Sequence, residues 1–327
     1  MARRVIRNPH VERWGLRAKT ASDWLVAKAV GALLWTVRLL PARAATETMA
    51  WLGYRLAPVL PRTKMAKRNL ALAFPEKSSE EIDRLAREVW GHVARTVAEY
   101  VYLDDLFEID LDHPERGRVE VSGIETFLRV RDAGRPAILF TAHTGNWEIL
   151  PIGAMAYGLE VTALFRMPNN RFLAEKVMAA RQTEKGHLVP SRAGAAWALD
   201  RTLSDGRHVG LLVDQGFRKG VPIEFLGRKA MANPLAAKLA RQHDCDIHPA
   251  RCVRLPGGRF RVEIEPALDL PRADDGRIDV PQTTKRINAV IERWVREHPA
   301  QWLWLHDRWK MPRGPQMRPY ERKPLQR

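Results

Sequence analysis

Residues 136–148 read Pro136-Ala137-Ile138-Leu139-Phe140-Thr141-Ala142-His143-Thr144-Gly145-Asn146-Trp147-Glu148. The apolar run 136–142, entered after Gly134, is the pattern of a short strand buried on both faces of an α/β sheet. His143 then stands at the carboxyl end of that strand, where open α/β sheets gather ligands and chemistry. Glu148 follows five residues later. At about 100° per residue the two side chains would diverge on one helix, so they meet only if His143 precedes the helix that carries Glu148. Thr144, Gly145 and Asn146 supply that break, and residues 147–157 read as the helix. A neutral imidazole in this setting can take a proton from an alcohol while a carboxylate on its other nitrogen fixes the tautomer. If the hydroxyl of an acceptor attacks an acyl group directly, no Ser or Cys nucleophile is needed. A His at a strand end and an acid on the next helix also arise without chemistry, so the spacing alone does not decide.

The surroundings repeat the βα rhythm. Residues 161–165 and 208–213 read as further strands, 171–186, 193–204 and 233–243 as helices, and 247–255 with 259–264 as two strands around Pro256-Gly257-Gly258. Thr284 to His298 gives a last amphipathic helix. Upstream, Ser78-Ser79-Glu80-Glu81 resembles a capping box, followed by the stripe Ile82, Leu85, Val89, Trp90, Val93 and Val97. The expected fold is α/β, with a central mixed, mostly parallel sheet flanked by helices and an N-terminal membrane-associated helical region. The expected divisions are a basic N-terminal region over 1–60, a helical region over 61–118, an α/β acyl-transfer domain over 119–312 and a basic tail over 313–327.

Charge narrows the partners. The chain carries 54 Lys and Arg against 38 Asp and Glu, a net +16, yet residues 71–307 are nearly neutral. The excess therefore lies at the two ends. No nucleic-acid motif accompanies it, and basic clusters beside an apolar segment point instead to an anionic membrane surface. That segment, Trp24 to Leu40, is at the short end of spanning length and is interrupted by Lys28 and Arg38. Basic residues crowd both flanks, so a span and a helix lying in one leaflet are both compatible with it, as is an amphipathic core helix. No removable signal peptide is expected. Phosphate loops, the Gly-x-Ser-x-Gly elbow and His-Glu-x-x-His are missing from the sequence. His243, Cys245, His248 and Cys252 have metal-ligand chemistry, but their spacing is not that of a structural zinc module, and buried cysteines on a strand ordinarily only pack. No metal and no cofactor are expected.

Several ordered matches converge on one family. They are His143 with Glu148, Arg68-Asn69-Leu70 with Phe74-Pro75-Glu76, Phe165-Arg166 with Pro168 and Asn170, Asp214-Gln215, Phe225-Leu226-Gly227-Arg228, and the closing stretch Trp302 to Lys310. Over residues 24–312 the chain resembles the bacterial lipid A late acyltransferases, a branch of the lysophospholipid acyltransferase superfamily defined by a His and an acid separated by four residues. The resemblance implies transfer of a fatty acyl chain from acyl carrier protein to a hydroxyl of a lipid A precursor, at the cytoplasmic face of the inner membrane. It assigns His143 as base and Glu148 as the group that holds the imidazole. Arg166 would meet phosphate or developing negative charge, Asp214 would position Arg166 or the His helix, and Gln215 and Asn146 would support the site. Anionic inner-membrane lipids would be further partners. Asp307 stands where relatives usually carry a basic residue, and Leu226 where many have an aromatic. A lysophospholipid or another membrane glycolipid is the alternative acceptor, and a non-catalytic membrane-surface binding role is a further reading.

Overall fold

A computed structural model of the chain describes residues 9–103, 117–165, 170–175, 187–191 and 194–311. Four helices come first: α1 (Pro9–Arg38), α2 (Ala42–Leu56), α3 (Thr63–Ala73) and α4 (Ser79–Glu99). The capping box is formed as read, with Ser78 Oγ accepting from the Glu81 amide at 3.2 Å and Glu81 Oε2 accepting from the Ser78 amide at 2.8 Å. Ile82, Leu85 and Val89 are buried, but Val97 is 47% exposed. Fifteen residues at about 100° carry it roughly 60° round from Ile82, and the end of α4 buries Thr96, Ala98 and Glu99 instead. No described helix is long and apolar enough to cross a membrane.

The strands and remaining helices follow as β1 (Val119–Ser122), α5 (Ile124–Asp132), β2 (Ala137–Thr141), α6 (Ile149–Ala156), β3 (Val161–Phe165), β4 (His187–Pro190), α7 (Ala195–Ser204), β5 (His208–Leu212), β6 (Gly216–Phe225), β7 (Arg228–Ala232), α8 (Leu235–His243), β8 (Asp246–Arg254), β9 (Phe260–Ile264) and α9 (Val280–Glu297). Among the described residues, seven strands form one sheet in the order β1-β9-β8-β2-β5-β3-β4, parallel throughout except at β8–β9. This is the mixed, mostly parallel sheet expected. β6 and β7 form a separate antiparallel hairpin. The sequence reading did not separate that hairpin out. Its turn places Leu226 at φ 50° and Gly227 at φ 71°, and a Leu in the first position hides the usual turn signal. Of the helix expected over 171–186, residues 171–175 are described, and there Asn170 Oδ1 caps the amides of Phe172 and Leu173 at 3.0 and 3.2 Å.

β2 is buried on both faces and sorts its side chains by parity. Ile138 and Phe140 face one core with α3, α4, α7, α8 and α9, where Phe140 stacks on Trp294 at 5.8 Å. Ala137 and Leu139 face a second core with α5 and α6. After β2 the chain lays β3 and β4 to one side, returns with β5 directly beside β2, and then places β8 on the opposite flank. The carboxyl ends of β2 and β5 therefore lie side by side where the winding reverses, the place where such sheets hold ligands.

The helical region is fastened to itself through small residues. A Cβ on Gly53 of α2 would lie 2.4 Å from the Trp90 carbonyl oxygen of α4, so the helices cross where only glycine fits. Tyr102 Oη meanwhile donates to the Leu40 carbonyl at 2.9 Å, tying the end of α1 to the segment after α4. Gly53→Ala is expected to force α2 and α4 apart and to lower unfolding free energy by about 1–3 kcal/mol. Thermal denaturation checks this; an unchanged midpoint would count against the close crossing.

Candidate active site

β2 and β5 pair in parallel with Thr141 opposite Leu212. His143 and Asp214 lie two residues beyond these strand ends, and the Val213 amide still donates to the Thr141 carbonyl at 3.1 Å. In-register parallel neighbours thus bring His143 and Asp214 together, although 71 residues separate them in the chain. His143 Nδ1 lies 2.8 Å from Asp214 Oδ1. The other carboxylate oxygen accepts from the His143 amide at 3.0 Å and from Trp302 Nε1 at 2.8 Å. Asp214 is fully buried. Its two oxygens therefore hold both the ring and the backbone of His143.

That contact corrects the expectation that Glu148 holds the imidazole, since the Nδ1 nitrogen is held by Asp214. Asp214, expected to position Arg166 or the His helix, bonds the ring and the backbone amide of His143 itself. With Nδ1–H donated to a carboxylate, Nε2 is the basic nitrogen. Burial opposes a charge on His143, but the Asp214 carboxylate, the hydrogen bond to it and the charge of Glu148 together raise its pKa above the ordinary value. Burial likewise opposes ionisation of Asp214, and the imidazole and its hydrogen bonds override it, holding the carboxyl well below its usual range. His306, which packs edge-on against Trp302 at 5.3 Å, is pushed down by burial.

The loop from His143 to Glu148 is pinned from behind. The Gly145 amide donates to the Gln301 carbonyl at 3.1 Å, and the Leu303 amide to the His143 carbonyl at 3.0 Å. Gly145 has φ 58°, and a Cβ there would lie 2.0 Å from the Cys252 carbonyl oxygen. Only glycine satisfies both demands. Asn146 is fully buried, and its Oδ1 accepts from the Glu148 amide at 3.2 Å. It supports the loop from the protein side and does not line the cavity described below. Helix α6 starts only at Ile149, two residues later than the sequence implied, because residues 146–148 form this side-chain-braced turn. Trp147 stands edge-on to the His143 ring at 5.0 Å and donates from Nε1 to Glu148 Oε1 at 3.1 Å.

In front of His143 lies a cavity of about 750 Å³. His143, Glu148, Gln215, Asn233 and Phe217 contribute to its wall, together with Phe127, Leu139, Ile149, Leu159 and Val262 from the second core. A few polar groups among many apolar side chains from β1, β2, β3, β9, α5 and α6 fit a mostly hydrophobic ligand. Of the sequence-derived site residues, His143, Asp214 and Glu148 are brought together, Gln215 joins them at the cavity, and Asn146 braces the loop. Arg166 and Pro168 lie outside the described residues.

Sequence reasoning missed the role of Trp302. Of the closing tryptophans, Trp304 and Trp309 pack against Trp302 and Phe225. Trp302 also hydrogen-bonds Asp214, a contact that only the return of the chain to the sheet creates. The motif Asn69 has a role of the same kind, donating from Nδ2 to the carbonyls of Trp304 and His306 at 3.1 and 2.8 Å. The His and Cys cluster disperses: His243 pairs with Asp200 at 2.8 Å, and burial pushes the Cys245 and Cys252 thiols up to about 11 and 12. Such thiols are inert packing groups.

Comparison with known proteins bears on this arrangement. The family model for bacterial lipid A biosynthesis acyltransferases matches residues 14–311. The chain is 25% identical over 281 residues to a phosphatidylinositol mannoside acyltransferase of Mycolicibacterium smegmatis, covering 82% of this chain and 87% of that protein. It is 24% identical over 331 residues to the lipid A biosynthesis myristoyltransferase of Escherichia coli, covering 97% and 93%. A palmitoleoyltransferase of lipid A biosynthesis from Escherichia coli is also 24% identical, over 88% of this chain and 91% of its own length. With these matches across nearly its whole length, the chain belongs to the bacterial lipid A biosynthesis acyltransferase family and is an acyltransferase.

Proposed function

We propose that this protein transfers a fatty acyl chain from acyl carrier protein to a hydroxyl of a lipid A precursor, by direct attack with His143 as general base. The observation that carries this reading is the Nδ1 contact of His143 with buried Asp214 at 2.8 Å, beside a cavity of about 750 Å³ with apolar walls. Nε2 of His143 takes the proton of the acceptor hydroxyl as its oxygen attacks the thioester carbonyl. The tetrahedral intermediate collapses, the carbon–sulfur bond breaks, and the leaving thiolate recovers the proton from the imidazolium. Asp214 keeps Nε2 facing the reaction and stabilises the charged ring. Glu148 adds negative potential and contributes to the cavity wall. The acyl chain occupies the apolar part of the cavity among Phe127, Leu139, Ile149, Leu159 and Val262. Arg166, following β3, is assigned to acceptor phosphate or to the developing charge, and Gln215 to positioning the substrate.

The reading extends to a membrane surface. Trp24, Leu25, Trp35 and Leu39 of α1 and its end and Trp51 and Leu56 of α2 are exposed, and Lys28 and Arg55 sit over the Trp24 and Trp51 rings at 5.4 and 5.6 Å. Exposed aromatics interleaved with cations suit the headgroup layer, so α1 and α2 lie on the anionic cytoplasmic leaflet of the inner membrane, where acceptor and carrier protein both have access. A second reading has its own support. The mannoside acyltransferase relative and Asp307, which pairs with Arg68 at 2.9 Å where a basic residue was expected, favour a different phosphorylated glycolipid acceptor with the same chemistry.

Membranes containing the protein, supplied with acyl carrier protein of several chain lengths and with a tetra-acylated lipid A precursor, a phosphatidylinositol mannoside or a lysophospholipid, test these readings by mass spectrometry. Acylation of the lipid A precursor is expected, and His143→Ala is expected to lower it by about 10²–10⁴-fold. Product only on the mannoside or the lysophospholipid would replace the acceptor, and a fully active His143→Ala would remove the base. The rate–pH profile provides a second check. Because the His143 pKa is raised, kcat/KM is expected to fall with acidification through a value above about 6.5. Asp214→Asn removes the larger raising charge and leaves burial and the smaller effect of Glu148, so the acid limb is expected to move to lower pH while kcat drops. Filling the cavity with Val262→Trp is expected to penalise the longest acyl donors most, by about 10-fold or more in kcat/KM relative to short ones.

A further inference from the structure

Behind the His143 loop, on the side away from the cavity lining, lies a buried ion pair that the chemistry above does not use. Glu99 ends α4 and Arg254 ends β8, and they are 2% and 5% exposed. Arg254 Nη1 donates to Glu99 Oε1. Further hydrogen bonds of both partners reach the loop that carries His143. Glu99 Oε2 accepts from Asn146 Nδ2 at 2.9 Å, and Asn146 Oδ1 in turn accepts the Glu148 amide. Arg254 Nη2 donates to Thr96 Oγ1 at 3.0 Å and reaches the Gly145 carbonyl at 3.5 Å, which Thr96 Oγ1 also approaches at 3.4 Å. Arg254 further exchanges two hydrogen bonds with Gln301, its amide donating to Oε1 at 2.8 Å and its carbonyl accepting from Nε2 at 2.9 Å. The carbonyl of that same Gln301 receives the Gly145 amide.

We infer that Glu99 and Arg254 are positioning residues for acyl transfer, acting through Asn146 and Gly145 to fix the loop that presents His143 and Glu148. Removing two charges from water is costly, and well-packed apolar residues often stabilise a fold as well. What a buried pair supplies beyond apolar packing is direction. Here both polar atoms of Gly145, the amide of Glu148 and the side chain of Asn146 are set by one connected network. The network also makes the orientation of the loop depend on the end of α4, whose next residue, Tyr100, lines the cavity. This inference rests on the assignment of His143 as base.

The test uses the full-length protein in membranes and whichever acceptor the wild type acylates. Asn146→Ala cuts the link between Glu99 and the loop and leaves the ion pair intact. The double variant Glu99→Leu with Arg254→Met removes both charges together, so neither is left buried and unpaired. For each, the melting profile, kcat, KM for the acyl donor and the acid limb of kcat/KM are measured beside His143→Ala. Expected for folded Asn146→Ala is a kcat lowered roughly 10- to 100-fold, the cost of a loop displaced by about 1 Å. Donor KM is expected to stay within about 3-fold, because the cavity walls are unchanged. The acid limb is expected at lower pH, because a displaced His143 loses part of its contact with Asp214, while Glu148 and His306 remain nearby. The folded double variant is expected to behave in the same way. Wild-type kcat and an unmoved acid limb in folded Asn146→Ala would overturn the positioning role even if the double variant failed to fold. A fully active His143→Ala would instead overturn the base assignment, and the inference with it.

Discussion

A carboxylate with no exposed surface must have its oxygens satisfied by the protein, and most of this architecture around the site follows from how Asp214 is satisfied. Its three donors are the His143 amide, His143 Nδ1 and Trp302 Nε1. The first two require β2 and β5 to be adjacent, parallel and in register, so that residues two beyond Thr141 and Leu212 face one another. The third requires the closing segment to return across the sheet, where the Leu303 amide bonds the His143 carbonyl and Asn69 of α3 holds the carbonyls of Trp304 and His306. A slip of one residue in the strand pairing would turn one of the two side chains to the opposite face and leave a buried charge without partners.

The same strand divides structure from chemistry. Side chains of β2 on one face enter the larger core, where Phe140 stacks on Trp294 and the helices α3, α4, α7, α8 and α9 close the packing. Side chains on the other face meet α5 and α6 over a thinner core that encloses the cavity. Rigidity is thus concentrated behind the imidazole and space in front of it. An imidazole set between a dense core and an apolar void is desolvated, and the nearby Asp214 and Glu148 charges keep its proton affinity from falling as burial alone would dictate.

Much of the fold was legible along the chain. The strands at 137–141, 161–165 and 208–212, the antiparallel pair β8–β9, the capping box of α4 and the amphipathic α9 each announce themselves through local periodicity or a local cap. What misled was local as well. Val97 continues a helical stripe in sequence but has rotated out of the buried face, and Leu226 occupies a left-handed turn position that a sequence pattern assigns to Asn or Gly. At the site, the importance of His143 was readable from its place at a strand end. Its partner was misassigned to Glu148, because spacing within one stretch was the only contact that a sequence exposes.

By itself the sequence determined the α/β rhythm, the place of His143 at a strand end, the glycine of the turn after it and, through ordered motifs, the family. These are properties of windows of a few residues, in which steric preference and hydrophobic period leave one solution. Only the tertiary structure decided that Asp214 and not Glu148 holds Nδ1, that Trp302 completes that carboxylate, and that Glu99 and Arg254 meet beneath the loop. Each of those contacts joins residues far apart in the chain through strand order and register. That order is chosen by the joint burial of whole elements, a global balance that no short stretch encodes.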